Sequence, residues 1–165
     1  MIDVTNSREE GAFSTERAGT VPAMQLVELC FSGRYSRGEV EALLFREGGL
    51  RSYLGTKELV EVEERMARAD ARAKAVFEAM VYQIAKDIGA MATVLRGRID
   101  AVLVTGGMAH SSPLVAALSG RIGWIAPLEV YAGEDELQAL AEGALRVLRG
   151  EEPAHSFASS LAASV

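Results

Sequence analysis

The stretch Arg98 to Ser112, RIDAVLVTGGMAHSS, limits the fold more than any other part of the chain. Ile99, Val102, Leu103 and Val104 make a short apolar, mostly β-branched run. A run of that length closed by a glycine pair predicts a strand buried on both faces, as in a parallel or mixed sheet. Thr105-Gly106-Gly107 breaks it, and paired glycines let the backbone adopt positive φ and approach a ligand closely. Ser111 or Ser112 suits a helix N-cap, and Pro113 the first helical position. Strand, glycine turn and helix start, in that order, aim backbone N–H groups and a positive dipole end at one place, which suits a phosphate. A tight turn between strand and helix with nothing bound accounts for the same residues equally well. The full glycine fingerprints of dinucleotide-binding or P-loop proteins are absent.

Composition narrows the partners. The 165 residues are enough for one domain with a good core; 49% are apolar and 24% charged, as in soluble globular proteins. The formal net charge of −6 and the lack of a Lys/Arg cluster argue against nucleic-acid binding. A nucleotide bound to so acidic a chain needs its phosphates met locally, by Mg²⁺ and one or two arginines. The single cysteine, Cys30, cannot form an internal disulfide and, in the apolar run Leu26 to Phe31, is expected to pack as a small hydrophobe. No segment has the apolar length to span a bilayer and no signal pattern opens the chain, so the expected location is cytoplasmic, with no membrane contact.

In chain order, Ile2-Asp3-Val4 alternates like a strand but has no partner before it, and residues 6–19 read as a polar loop. That loop carries Arg17 among small residues; it is either a fork for phosphate or carboxylate, or a solvated surface arginine. Pro22 to Phe31 predicts a short helix, and Ser36 with Glu39 a capping box opening a second one, which Gly48-Gly49 ends. Leu50 to Thr56 reads as a compact turn in which Tyr53 and Leu54 line a slot or simply fold onto the core. Helices follow over Lys57–Met66 and about Ala71–Leu95, the second with an apolar seam of Phe77, Val81, Ile84, Ile88, Met91 and Leu95. Past the glycine turn, Leu114–Leu118 predicts a short helix closed by Gly120, and Ile122–Ile125 with Leu128–Tyr131 a strand broken by Pro127. Glu134, Asp135 and Glu136 suit the start of a helix running to Leu148 and stopped by Gly150. Residues 153–165 read as a mobile tail. No metal-spaced Cys/His set is present, so no metal ligand is assigned; His110 lies beside the glycine turn and His155 in the tail.

Four separated segments then carry a resemblance: FSTERAGTVPAMQLVELCFSGRYS, GGLRSYLGT, FEAMVYQIAKDIGAMATVLRGRIDAVLVTGGMAHSSPLV and IAPLEVYAGEDELQALAEGALRVLRGEE. In this order they resemble butyrate kinase and its branched-chain carboxylate kinase relatives, of the acetokinase family, in the acetate/sugar kinase and actin superfamily. The likeness runs from about Ile2 to Glu152. It implies an α/β fold like the ribonuclease-H-like C-terminal domain of these kinases, a mixed sheet flanked by helices, over residues 1–152. The family's chain is much longer. The resemblance covers its C-terminal, nucleotide-side half and lacks the N-terminal domain and the second phosphate turn, which leaves a sheet edge open.

The resemblance also implies roles. Arg17 matches the arginine that steadies the phosphoryl group in flight. Gly106, Gly107 and Met108 match the turn that takes the nucleotide, and Gly55, Thr56 and Glu58 fall in the adenine site. The relatives usually carry Asn-Asp after the Gly-Thr; Lys57-Glu58 stands here, which puts the contacts of Glu58 in doubt. The implied cofactors are ATP or ADP, with Mg²⁺ held mainly by the nucleotide. A short-chain carboxylate becomes a partner only when the missing half is supplied, and a homodimer or higher assembly is expected. The implied reaction is reversible phosphoryl transfer from ATP to a butyrate-like acid. The alternative is a non-catalytic nucleotide-binding or dimerisation module from a split or truncated kinase.

Overall fold

The computed structural model describes residues 3–5, 10–133 and 136–154. The chain divides into two compact units, Met1–Ala132 and Gly133–Val165. The first carries α1 (Ala23–Phe31), α2 (Arg37–Phe45), α3 (Gly49–Leu54), α4 (Leu59–Ala67), α5 (Ala71–Val94), β1 (Val102–Gly106), a 3-10 turn (Gly107–His110), α6 (Ser112–Ile122) and β2 (Leu128–Ala132). The second carries α7 (Glu136–Leu148), on which Leu137, Leu140 and Leu148 are exposed. Ile2 of the expected first strand, loop residues 6–9, the acids Glu134 and Asp135, and tail residues 155–165 with His155 lie outside the described residues. Asp3 and Val4 carry no strand.

Local chemistry explains where the helices start. At α2 the Ser36 hydroxyl accepts the Glu39 N–H at 3.4 Å and the Glu39 carboxylate accepts the Ser36 N–H at 2.7 Å, the reciprocal capping box. That second bond draws the Glu39 carboxyl below the usual carboxylate range. At α5 the Asp70 carboxylate accepts the N–H groups of Arg72 and Ala73, both at 3.0 Å, and pairs with Arg65 at 2.9 Å. At α6 the cap is Ser111, which accepts the Leu114 N–H at 3.0 Å, with Pro113 in the first turn.

Between them α5, α3, α4 and α6 build the core. Ala73, Phe77, Met80 and Val81 of α5 meet Leu50, Val62, Leu114 and Leu118 in one cluster, which also holds Phe13. Of the expected α5 seam, Phe77, Val81 and Ile84 join this cluster, Ile88 and Met91 are half-buried, and Leu95 is exposed.

The two described strands pair in parallel, Val102 opposite Leu128 through Gly106 opposite Ala132. Contrary to the expectation for β1, only one face is shielded. Val102, Val104 and Leu128 are half-buried, whereas Leu103 and Tyr131, on the other face, are each 61% exposed. The apolar run has the composition of a two-sided strand, but burial needs covering layers, and among the described residues of this unit one face lacks its layer.

Three further expectations are corrected. Leu50–Thr56 is not a turn; α3 runs through it and is closed by Gly55 at φ +77°. Gly120 does not end α6, because Ile122 continues the spacing Leu114, Leu118, Ile122 on the buried face; the second strand therefore begins only at Leu128. Cys30 does not pack as a hydrophobe. It is exposed on α1, a helix that buries no residue, at the rim of a cleft of about 400 Å³ between α1 and α2.

Candidate functional site

Arg17 sits in a loop clamped onto the corner between α2 and α3. The Ala18 N–H donates to Leu44 O at 2.8 Å, while the N–H groups of Gly48, Leu50 and Arg51 donate to the carbonyls of Glu16, Ser14 and Thr15, each at 3.0 Å. Such a ladder between two loops needs close backbones. A Cβ on Gly49 would stand 1.9 Å from Ser14 O, and one on Gly48 2.5 Å from Ala18 N. The glycine pair read from sequence as a helix stop is therefore the seat of the Arg17 loop. Phe13, 6% exposed, anchors the loop in the core, its ring 5.6 Å from that of Tyr53, and its N–H donates to Gln83 Oε1 at 3.3 Å. Arg17 is half-buried, and its N–H donates to Ser14 Oγ at 3.2 Å.

The segment between α3 and α4 lies against that loop, Lys57 Nζ reaching Glu16 Oε2 at 3.3 Å. Gly55 closes α3 in the left-handed region with open space beside its Cα. Thr56 Oγ1 accepts the Glu58 N–H at 3.1 Å, shaping the entry to α4. The Glu58 side chain caps nothing and is exposed. The slot imagined for Tyr53 and Leu54 is divided: Tyr53 stays 52% exposed against Phe13, while Leu54 packs on the core.

At the end of β1, Gly106 adopts φ +83°, ψ −177°, a region essentially reserved for glycine. Nothing lies within 4 Å of a Cβ built there, so the requirement is conformational rather than one of room. Gly107 and His110 are exposed, Met108 packs on the core and Ala109 is buried. The Ser111 N–H donates back to Met108 O at 3.1 Å. The Ser111 hydroxyl donates to the half-buried Glu63 carboxylate of α4.

All three segments are pinned to one hydrophobic cluster. Phe13 enters it from the Arg17 loop, Leu54 and Leu59 flank Gly55, Thr56 and Glu58, and Met108 enters from the glycine turn. Among the described residues, no group of three or more His, Cys, Asp or Glu is arranged to hold a metal ion. Sequence reasoning missed two things: the Gly48-Gly49 seat and Glu63. Neither has a local signal, since each acts on a segment distant along the chain.

Comparison with known proteins gives the architecture its class. The structure superposes on the crystal structure of acetate kinase from Porphyromonas gingivalis with a TM-score of 0.74 at 18% identity, over 84% of this chain and 41% of that one. A propionate kinase from Francisella tularensis gives 0.69 at 19% identity, over 78% of this chain and 39% of that one. The fold is thus the α/β, actin-like fold of acetate and propionate kinases. Residues 9–133 match the family model of the Acetokinase family, and the chain belongs to that family. It is 48% identical over 152 residues to a protein of Caldanaerobacter subterraneus subsp. tengcongensis called probable butyrate kinase 2, covering 92% of this chain and 43% of that relative. The chain therefore spans less than half the length of that relative.

Proposed function

We propose that this chain supplies the nucleotide-side part of a carboxylate kinase that transfers phosphoryl between ATP and a butyrate-like short-chain acid, giving an acyl phosphate and ADP. The observation that carries this reading is the anchoring of the Arg17 loop, the 54–59 segment and the Gly106–Met108 turn on one hydrophobic cluster, through Phe13, Leu54, Leu59 and Met108. It stands together with the 48% identity to a probable butyrate kinase. Phosphoryl transfer asks a protein for alignment and charge neutralisation rather than covalent work. Arg17 is assigned the neutralising role, its guanidinium matching the transferring group's oxygens. Gly106, Gly107 and Met108 are assigned the nucleotide phosphates and ribose, and Gly55, Thr56 and Glu58 the adenine side. Mg²⁺ travels mainly on the nucleotide and adds to the charge neutralisation. The acyl pocket and the catalytic carboxylate are assigned to a part of the kinase that this chain does not contain.

Calorimetric titration of the chain with Mg·ADP tests the assignment. Binding is expected, and Arg17→Ala is expected to weaken binding of the non-hydrolysable triphosphate Mg·AMPPNP, which carries the γ-phosphate, about tenfold or more, the range for hydrogen bonds to charged groups. A chain that binds no Mg·ADP, or an Arg17→Ala variant that binds Mg·AMPPNP unchanged, refutes the reading. Acyl-phosphate formation from ATP and butyrate is expected to be absent with the chain alone; robust turnover would place the acyl site within it.

A further inference from the structure

We propose that Glu63 is a positioning residue for the glycine turn and acts through Ser111; the functional part of this inference rests on the nucleotide reading above. Ser111 stands at the joint between the turn and α6. Its N–H closes the turn on Met108 O at 3.1 Å, and its Oγ accepts the Leu114 N–H at 3.0 Å, capping α6. A serine hydroxyl has one proton, and here the proton goes to Glu63 Oε1. A lone pair is thus held by the helix and the proton by a carboxylate, so the hydroxyl cannot rotate. The acceptor is a carboxylate oxygen, a better acceptor than a neutral carbonyl.

The placement of Glu63 gives the bond its reach. Glu63 lies 48 residues before Ser111, on α4, the helix that begins directly after Thr56 and Glu58. Its neighbour Val62 is fully buried, which fastens α4 to the core. One side-chain bond therefore ties the adenine-side segment to the glycine turn. Glu63 touches no nucleotide in this scheme; it sets the frame that does.

The test uses the whole chain, with Mg·ADP affinity by calorimetry and backbone amide resonances by NMR. Glu63→Ala is expected to weaken Mg·ADP binding about tenfold with an unchanged circular dichroism spectrum, and Glu63→Gln, whose amide oxygen still accepts, to stay within about threefold of the parent. Because both residues act through one bond, adding Glu63→Ala to Ser111→Ala is expected to cost nothing more. The amide resonances of Gly106, Gly107 and Met108 are expected to shift in Glu63→Ala and to return in Glu63→Gln. Should Glu63→Ala fail to fold, Glu63→Asp, one methylene shorter, is read in the same way. A merely stabilising Glu63 would lower Tm and leave affinity and resonances in place, and that result overturns the proposal. So does a Glu63→Gln variant as weak as Glu63→Ala. If the parent binds no Mg·ADP, the nucleotide reading fails, while the resonances still decide whether Glu63 sets the turn.

Discussion

Replacing Gly49 by alanine puts the clamp on the Arg17 loop to a quantitative test. The new methyl would stand 1.9 Å from Ser14 O and 2.9 Å from Arg17 O, where ordinary contact begins near 3.4 Å. Both obstacles are backbone, so no side-chain rotation relieves them; the loop must retreat by well over an ångström. The same Ser14 carbonyl accepts from Leu50 at 3.0 Å, and two bonds of equal length flank it, from Arg51 to Thr15 and from Gly48 to Glu16. Losing three such bonds costs about 1 kcal/mol each, and holding alanine at the Gly49 φ of +58° adds about 1–2 kcal/mol. The expected loss is about 4–5 kcal/mol, a large part of a domain's whole stability. Gly55→Ala is the reference. It has φ +77° but nothing within 4 Å of its Cβ, so only the conformational cost of about 1–2 kcal/mol applies. Gly106→Ala, likewise in open space, should fall at about 1–3 kcal/mol from backbone strain alone. Urea unfolding followed by circular dichroism gives all three values. A Gly49→Ala variant no less stable than Gly55→Ala would show that the loop is not held against α3, and the geometry assigned to Arg17 would fall with it.

Two other outcomes are expected. The Asp70 carboxyl is held below its usual range, first by the Ala73 N–H and then by Arg65. Its contribution is therefore present above the unfolded value and lost as pH falls through the lower folded value, so Tm should drop on acidification, and less steeply in Asp70→Asn, which keeps the cap without the charge; parallel Tm profiles would refute this. The sheet face bearing Leu103 and Tyr131, each 61% exposed, suits the homodimer or higher assembly that the family resemblance leads us to expect; light scattering that gives a clean monomer at micromolar concentration would refute that expectation.

Much of the site's local chemistry was legible in the residues. Ser36 and Glu39 formed the expected box, α5 ran as its spacing predicted, and the strand, glycine turn and Ser111 cap follow one another from Val102 onward. These features are decided within a few residues, by φ preferences, capping and side-chain period. The errors arose where a local signal had two uses. Gly48-Gly49 serves as a helix stop in any sequence, and only the approach of residues 14–18 makes it a seat. Ile122 fits a strand as well as a helix until Leu114 and Leu118 are seen on the same buried face.

What the sequence determined by itself was the set of parts: helix starts, the glycine-made bend after Val104, and the segments shared with carboxylate kinases. Tertiary structure alone decided their joining. Phe13, Leu54 and Met108 meet in one cluster, and Glu63 reaches Ser111 across 48 residues. Backbone preferences act between neighbours along the chain. Burial and hydrogen bonding act between neighbours in space, and which residues become neighbours is settled only when the core closes.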